Sequence, residues 1–178
     1  MRQEVESHIV KKDKVSFVHN KKFKEDKNIL SCFLGLEETS SASLIIEADV
    51  ILSDADAERI VGAINKHPKN SFVCSQQFSK GNMKRIGCVS EHLYLLPKPN
   101  IQNKDNRMAG VFYLSQEDSS SLLESQRSFV DKEDFSKYYF TPILNDKKAY
   151  RLENFVVSSA SHTVNTKEEY EWALKALS

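Results

Sequence analysis

The chain is poor in cysteine and glycine, and it carries no excess charge of either sign. Three cysteines among 178 residues, without CxxC spacing, favour neither a disulfide framework nor a zinc site. Five glycines are spread singly, and none forms a glycine-rich phosphate-binding loop. Basic and acidic residues balance at 25 each, so no overall field draws the chain to nucleic acid or to an acidic membrane.

Long apolar runs are also lacking. Residues 1–7 are too polar for a signal peptide, and no run is long enough to cross a bilayer. Together with the free cysteines, these features predict a cytoplasmic protein with no membrane partner. The length, with 40% hydrophobic and 28% charged residues, predicts a single globular domain over 1–178.

Apolar periodicity predicts alternating helices and strands along most of the chain. Strands are predicted at 14–19, at 44–46, in four pieces between 71 and 115, and at 154–158. Helices are predicted after residue 28, after Ser53, within 116–148 and after Thr166. Ser53 and Thr166 each precede an acid by three residues, as in a capping box. In the last helix, a stripe at helical spacing is expected to be buried: Tyr170, Ala173, Leu174 and Leu177.

This succession predicts an α/β fold, with a mainly parallel sheet, an antiparallel portion and flanking helices. Ligands of such sheets bind at the C-terminal ends of the strands, which singles out Glu47 and Asp49 directly after 44–46. A carboxylate there is a suitable ligand for magnesium. Asp49 is equally suited to starting the turn into the helix capped by Ser53, and the pattern alone leaves both interpretations open.

Five segments, in the same order, resemble those of the nucleotidyltransferases that activate phosphocholine, aminoethylphosphonate and sugar phosphates. They are 18–23 (VHNKKF), 26–31 (DKNILS), 44–50 (LIIEADV), 96–99 (LPKP) with 109–113 (AGVFY), and 164–170 (VNTKEEY). The resemblance implies a Rossmann-like nucleotidyltransferase fold. That fold would be incomplete, because the family's N-terminal GxGTRL segment has no counterpart here.

The resemblance also implies roles for single residues. Asp49 and Asn165 match the family's two magnesium ligands, and Asn165 stands where most members have aspartate. Lys98 matches a lysine that meets the substrate phosphate, so Asp49 and Lys98 are the predicted catalytic residues. The alternatives are a turn residue for Asn165 and a solvated lysine for Lys98.

Substrate-binding residues follow from the same match. They are predicted to be Asn28, Ser31, Glu47 and Gly110. For Asn28 the alternative is a cap on the helix that follows it.

The implied activity joins a nucleoside triphosphate, CTP by resemblance, to a phosphorylated small molecule, with Mg²⁺ as cofactor and pyrophosphate as the second product. Without the GxGTRL portion, the isolated chain is expected to be inactive. A second copy or a partner chain is expected to supply the missing strands. Two alternatives are a non-catalytic binding or scaffold module and one half of a split enzyme. Nucleic-acid binding is not expected, because the charge is balanced.

Overall fold

The computed structural model describes residues 14–39, 41–77, 88–89, 95–96, 106–145, 150, 152–158, 161–164 and 166–177. Its helices are α1 (Ile29–Glu37), α2 (Asp54–Lys66), α3 (Gln116–Val130), α4 (Thr141–Asn145) and α5 (Lys167–Leu177). Its strands are β1 (Ser43–Ile46), β2 (Val50–Ile51), β3 (Phe72–Gln77), β4 (Cys88–Val89), β5 (Leu95–Leu96), β6 (Asn106–Leu114), β7 (Glu153–Val156) and β8 (His162–Thr163).

Six of these strands form one sheet around β6, the longest of them. One edge of β6 pairs antiparallel with β3, and the other edge pairs antiparallel with β1 and β4. On the outside, β7 runs parallel to β3, and β5 runs antiparallel to β4. β2 and β8 form a separate two-stranded antiparallel sheet.

Helices pack on both faces of the sheet. Successive side chains of β6 point to opposite faces, so each helical layer contacts alternate residues of the strand. Phe112 and Leu114 of β6 pack with residues of α1, α3 and α4 on one face. Val111 and Tyr113 pack with Ile60 of α2 on the other face. The predicted α/β fold with flanking helices is confirmed. Among the described strand pairs only β3–β7 is parallel, so the antiparallel portion is larger than the sequence indicated.

Strand β1 leaves part of the second face uncovered. Ile45 contacts the cluster around Phe112, whereas Leu44 and Ile46 point to the opposite side and are 40% and 48% exposed. Their neighbour Tyr113, which pairs with Leu44 across the strands, is 3% exposed. The apolar face that α2 covers at β6 therefore continues onto β1 without a cover.

Two predictions about local structure are wrong. Residues 15–19 alternate polar and apolar side chains but form no strand, and Phe17 and Val18 are exposed. Helix α5 forms where predicted, with reciprocal Thr166 and Glu169 capping bonds of 3.2 Å. Its apolar stripe is not buried at the two positions whose side chains are described, however, since Tyr170 and Leu174 are each 49% exposed. The spacing of apolar residues predicts a strand or a helix. The apolar side of that element is buried only where a neighbouring surface covers it.

The described residues contain no helix that is both long and apolar enough to cross a membrane.

Candidate functional site

Glu47 and Asp49 lie at the C-terminal end of β1, where the sequence predicts them. The amide of Glu47 donates to the carbonyl of Gly110 at 2.9 Å, which continues the β1–β6 ladder by one residue. The amide of Val50 then donates back to the carbonyl of Glu47 at 3.1 Å. This tight turn ends β1 and starts β2, and it brings two carboxylates to one edge of the sheet.

Gly110 allows that turn to lie close to β6. Its φ of +69° falls in the left-handed region, which residues other than glycine rarely adopt. A Cβ there would lie 2.7 Å from Cγ2 of Val50 and 2.8 Å from Oε2 of Glu47. Gly110 is therefore a site of close approach, and its contact with Glu47 gives it a packing role beside the predicted substrate-binding one.

The carboxylate of Glu47 is in an unfavourable electrostatic environment. Burial, and then the nearby negative charge of Asp49, raise the pKa of Glu47 above its usual range. The hydroxyl of Tyr139 lies beside the Glu47 carboxylate, and Tyr139 is only 2% exposed. No described group is placed to make a well-formed hydrogen bond to that hydroxyl. A cation at this edge would relieve the repulsion between the carboxylates.

Asp49 is joined directly to the segment that follows β8. The amide of Val164 donates to the carbonyl of Asp49 at 2.7 Å. This bond extends the β2–β8 ladder, in which Val50 pairs with Thr163 and Ile51 with His162. The two segments that resemble the metal-binding segments of the family therefore lie side by side.

The predicted residues Asn28 and Ser31 belong to the N-terminal turn of α1. Asn28 occupies the N-cap position of α1, as the alternative interpretation placed it, but its side chain makes no capping bond. Asp26 makes those bonds instead: its carboxylate accepts from the amides of Asn28, Leu30 and Ser31 at 2.9–3.0 Å. It also accepts from the hydroxyl of Ser31 at 2.8 Å. An acid two residues before the N-cap position was the sequence signal for this cap.

Asn28 connects α1 to the region of the carboxylates. It has a φ of 104°, which asparagine tolerates better than most residues. Its Oδ1 accepts from the amide of Tyr139 at 2.9 Å. Since the Tyr139 hydroxyl lies beside Glu47, one residue links the start of α1 to the end of β1. Residues 138–140 form an aromatic run in the sequence, but the sequence alone assigns that run no role.

Asp56 is a buried carboxylate, 1% exposed. The sequence predicts only a helix-capping role for it, but its contacts extend further. Its Oδ2 accepts from the Ser53 hydroxyl at 3.1 Å. The backbone amide of Ser53, which a capping box would direct to this carboxylate, donates instead to the hydroxyl of Ser161 at 3.0 Å. Asp56 Oδ2 also accepts from the amide and hydroxyl of Ser158 at 2.9 and 2.6 Å, and from the hydroxyl of Ser161 at 2.7 Å. Arg59 contacts the other oxygen at 2.7 Å.

Burial disfavours the charged form of Asp56, but the hydrogen bonds from Ser158, Ser161 and Ser53 outweigh it and lower its pKa from 3.8 to about 2. The stability that this carboxylate contributes is therefore present above its unfolded pKa and is lost as the pH falls through the folded value. We expect the difference in unfolding free energy between the wild type and Asp56→Asn to narrow as the pH falls from about 4 to about 2. Urea denaturation at stepped pH measures this.

The exposed neighbour Asp54, in the same turn of α2, is the matched control. Asp54→Asn should keep the wild-type dependence on pH over this interval. If the difference in unfolding free energy between Asp56→Asn and the wild type stays constant across this interval, the pKa of about 2 for Asp56 is contradicted.

Two predicted site residues, Lys98 and Asn165, lie outside the described residues. Over the described ranges, no group of three or more histidine, cysteine, aspartate or glutamate residues is arranged to hold a metal ion. What the structure brings together is a smaller set around Glu47 and Asp49, with Gly110 and Tyr139 against it and Val164 beside it.

Comparison with solved structures decides the fold. CTP:phosphocholine cytidylyltransferase from Streptococcus pneumoniae matches with a TM-score of 0.68 at 16% identity, over 99% of this chain and 75% of that one. The chain has a nucleotidyltransferase-like fold. A similar match, at a TM-score of 0.60 and 15% identity, is 4-diphosphocytidyl-2C-methyl-D-erythritol synthase from Anaerococcus prevotii, over 98% of this chain and 76% of that one. No protein-family model and no curated sequence matches this nucleotidyltransferase-like chain.

Proposed function

We propose that this chain forms the cation-binding and acceptor-binding side of a nucleotidyltransferase that joins a nucleoside triphosphate to a phosphorylated small molecule. In that reaction a phosphate oxygen of the acceptor attacks the α-phosphorus. The bond from the α-phosphorus to the bridging oxygen breaks, and pyrophosphate leaves. CTP is the nucleotide we propose, because the cytidylyltransferase of S. pneumoniae shares the fold over nearly the whole of this chain.

The observation that carries the proposal is the hydrogen bond from Val164 to Asp49. The family resemblance assigns the two metal ligands to Asp49 and Asn165, which are 116 positions apart in the sequence. The residue immediately before Asn165 is bonded to the backbone of Asp49 at 2.7 Å. The fold therefore brings together two segments that are far apart in the sequence and that the resemblance assigns to one ion.

The residues at this edge suit a magnesium ion. Carboxylate oxygens are the ligands that Mg²⁺ prefers, and Glu47 and Asp49 offer two carboxylates. Burial, and then the negative charge of Asp49, raise the pKa of Glu47. The close approach of Gly110 keeps the Glu47 carboxylate beside β6. The proposed ligands are Asp49 and Asn165, with Glu47 nearby. When bound, the ion would neutralise charge on the triphosphate.

The remaining roles are carried by the chain's own side chains. Lys98 is proposed to meet the phosphate of the acceptor. Asn28 and Ser31, at the start of α1, are proposed to contact the rest of that molecule. Tyr139 supports this arrangement because its amide is bonded to Asn28 while its hydroxyl lies beside Glu47.

The test is cation binding by the purified chain, with Mn²⁺ in place of Mg²⁺ and free Mn²⁺ followed by electron paramagnetic resonance. We expect one site in the wild type. We expect binding at least about tenfold weaker in Asp49→Ala, since even indirect partners of a metal site are worth that much. Asp54→Ala removes an exposed carboxylate of α2 and should bind like the wild type. Equal affinity in Asp49→Ala and the wild type would remove the proposed metal site.

Measuring turnover distinguishes this proposal from the two alternatives, a non-catalytic binding module and one half of a split enzyme. Pyrophosphate release is measured with CTP, Mg²⁺ and phosphocholine, and none is expected from this chain alone. Release that disappears in Asp49→Ala would show a complete enzyme and contradict that expectation. Cation binding without release, together with binding of phosphocholine, would favour the non-catalytic binding module. Release that appears only after a second polypeptide is added would favour the split enzyme.

A further inference from the structure

We infer that Asp56 is a positioning residue, which holds β8 in register on β2 and thereby keeps Val164 on the backbone of Asp49. This inference rests on the proposed function, because that function gives the position of Val164 its purpose. Asp56 contacts neither proposed ligand. It would act through the loop 157–161, which connects β7 to β8 and of which the structure describes Val157, Ser158 and Ser161.

Buried groups hold both ends of this loop. Asp56 Oδ2 accepts from the amide and hydroxyl of Ser158 at one end, and from the hydroxyl of Ser161 at the other. The side-chain amide of Gln76, which is 6% exposed, donates to the carbonyls of Ser158 and Ser161 at 2.9 and 2.7 Å. The residue after Ser161 is the first of β8, so the loop's anchor lies directly next to the strand.

The strand pair itself is too short to fix its own register. β2 and β8 pair over only two residues each, and even longer two-stranded sheets are marginal in water. A slip of one residue would turn every side chain of β8 to the other face and take Val164 away from Asp49. The register must therefore be set by something outside the pair, and the anchored loop is the nearest candidate.

Helix capping does not account for this arrangement. Capping α2 requires only that the hydroxyl of Ser53 accept from the amide of Asp56, which it does at 3.2 Å. Three further donors from the loop converge on the same carboxylate oxygen, and bonds to an ionised acceptor are stronger than bonds between neutral groups. Arg59 adds a link from the other oxygen to the carbonyl of Val156 at 3.2 Å.

The experiment measures hydrogen exchange of the Val164 amide by NMR in the wild type, Asp56→Asn and Ser158→Ala, without metal. Ser158→Ala removes a hydroxyl that donates to Asp56, and Asp54→Asn is the charge-matched control. We expect Val164 to exchange at least about tenfold faster in both test variants, measured relative to the Phe112 amide of the core. The control should exchange like the wild type. The Mn²⁺ affinity of each variant is then measured, and it should fall in Asp56→Asn.

Each outcome decides something. Unchanged exchange at Val164 in Asp56→Asn overturns the inference. If that variant does not fold, Ser158→Ala decides by the same criterion. Ser161→Ala would not decide, because the hydroxyl of Ser161 also accepts from the amide of Ser53. Faster exchange at Val164 with unaltered Mn²⁺ affinity overturns the positioning role. A wild type that binds no Mn²⁺ defeats the proposed function instead, and the exchange rates still decide whether Asp56 fixes the register of β8.

Discussion

Replacing Gly110 with alanine is expected to lower the free energy of unfolding by about 2–5 kcal/mol. Two costs combine. An L-residue in the left-handed region costs about 1–2 kcal/mol, and the φ of residue 110 is +69°. An added methyl group in a packed interior costs about 1–3 kcal/mol, and here it would lie 2.7 Å from Val50 and 2.8 Å from Glu47. Urea denaturation followed by circular dichroism measures the loss.

Gly62 is the matched control, because a Cβ at this position of α2 would meet no atom within 4 Å. Gly62→Ala should stabilise the protein by about 0.5–1 kcal/mol, since alanine is the better helix former. If Gly110→Ala unfolds at the urea concentration of the wild type, the turn after β1 does not approach β6 as described. The site would then lose the contact that orients Glu47.

Truncating Phe112 to alanine is expected to cost about 3–5 kcal/mol, as for other large aromatic residues in cores. Phe112 is fully buried. Its ring meets the edge of Tyr139 at a centroid distance of 5.4 Å and lies parallel to Phe140 at 6.2 Å. The loss should appear in the urea midpoint. It should also free the segment 138–140, which can be followed as faster exchange of the Tyr139 amide.

An exposed phenylalanine provides the control for that experiment. Phe23 is 61% exposed, so Phe23→Ala should change the free energy of unfolding by no more than about 0.5 kcal/mol. Comparable losses in the two variants would mean that the cluster around Phe112 is not the core of this face of the sheet.

The fold could be predicted from the sequence wherever local signals and tertiary packing agree. Helix α2 has a capping residue at Ser53 and an apolar face that includes Ile60, and the structure buries Ile60 as the spacing requires. In α5 the local signals are as strong, but Leu174 is half exposed. Capping and periodicity act within one helix, whereas burial requires a second surface that the sequence does not reveal.

The site shows the same division. The positions of Glu47 and Asp49 were predictable, because the end of a strand fixes where the following residues lie, although one side of β1 is more exposed than its apolar run indicated. The contacts of Asp56 with Ser158 and Ser161 were not, since more than 100 residues separate the partners and no short motif marks them. Tyr139 was hidden for a similar reason: its importance comes from what its amide and hydroxyl reach, not from its neighbours in the sequence.

The order of strands in the sheet has a consequence for how the chain is made. β1 pairs with residues near 112 of β6, and β3 pairs with residues near 155 of β7, so these two pairings close loops of about 70–80 residues. Non-local pairings of this kind slow folding, because the loop entropy is lost before the contacts form. During synthesis the carboxylate edge of β1 must wait for β6, and the sheet cannot close until β7 has left the ribosome. Over that interval the apolar side chains of β1 and β3 lack their partners, and unpaired strands with exposed apolar side chains are prone to aggregate.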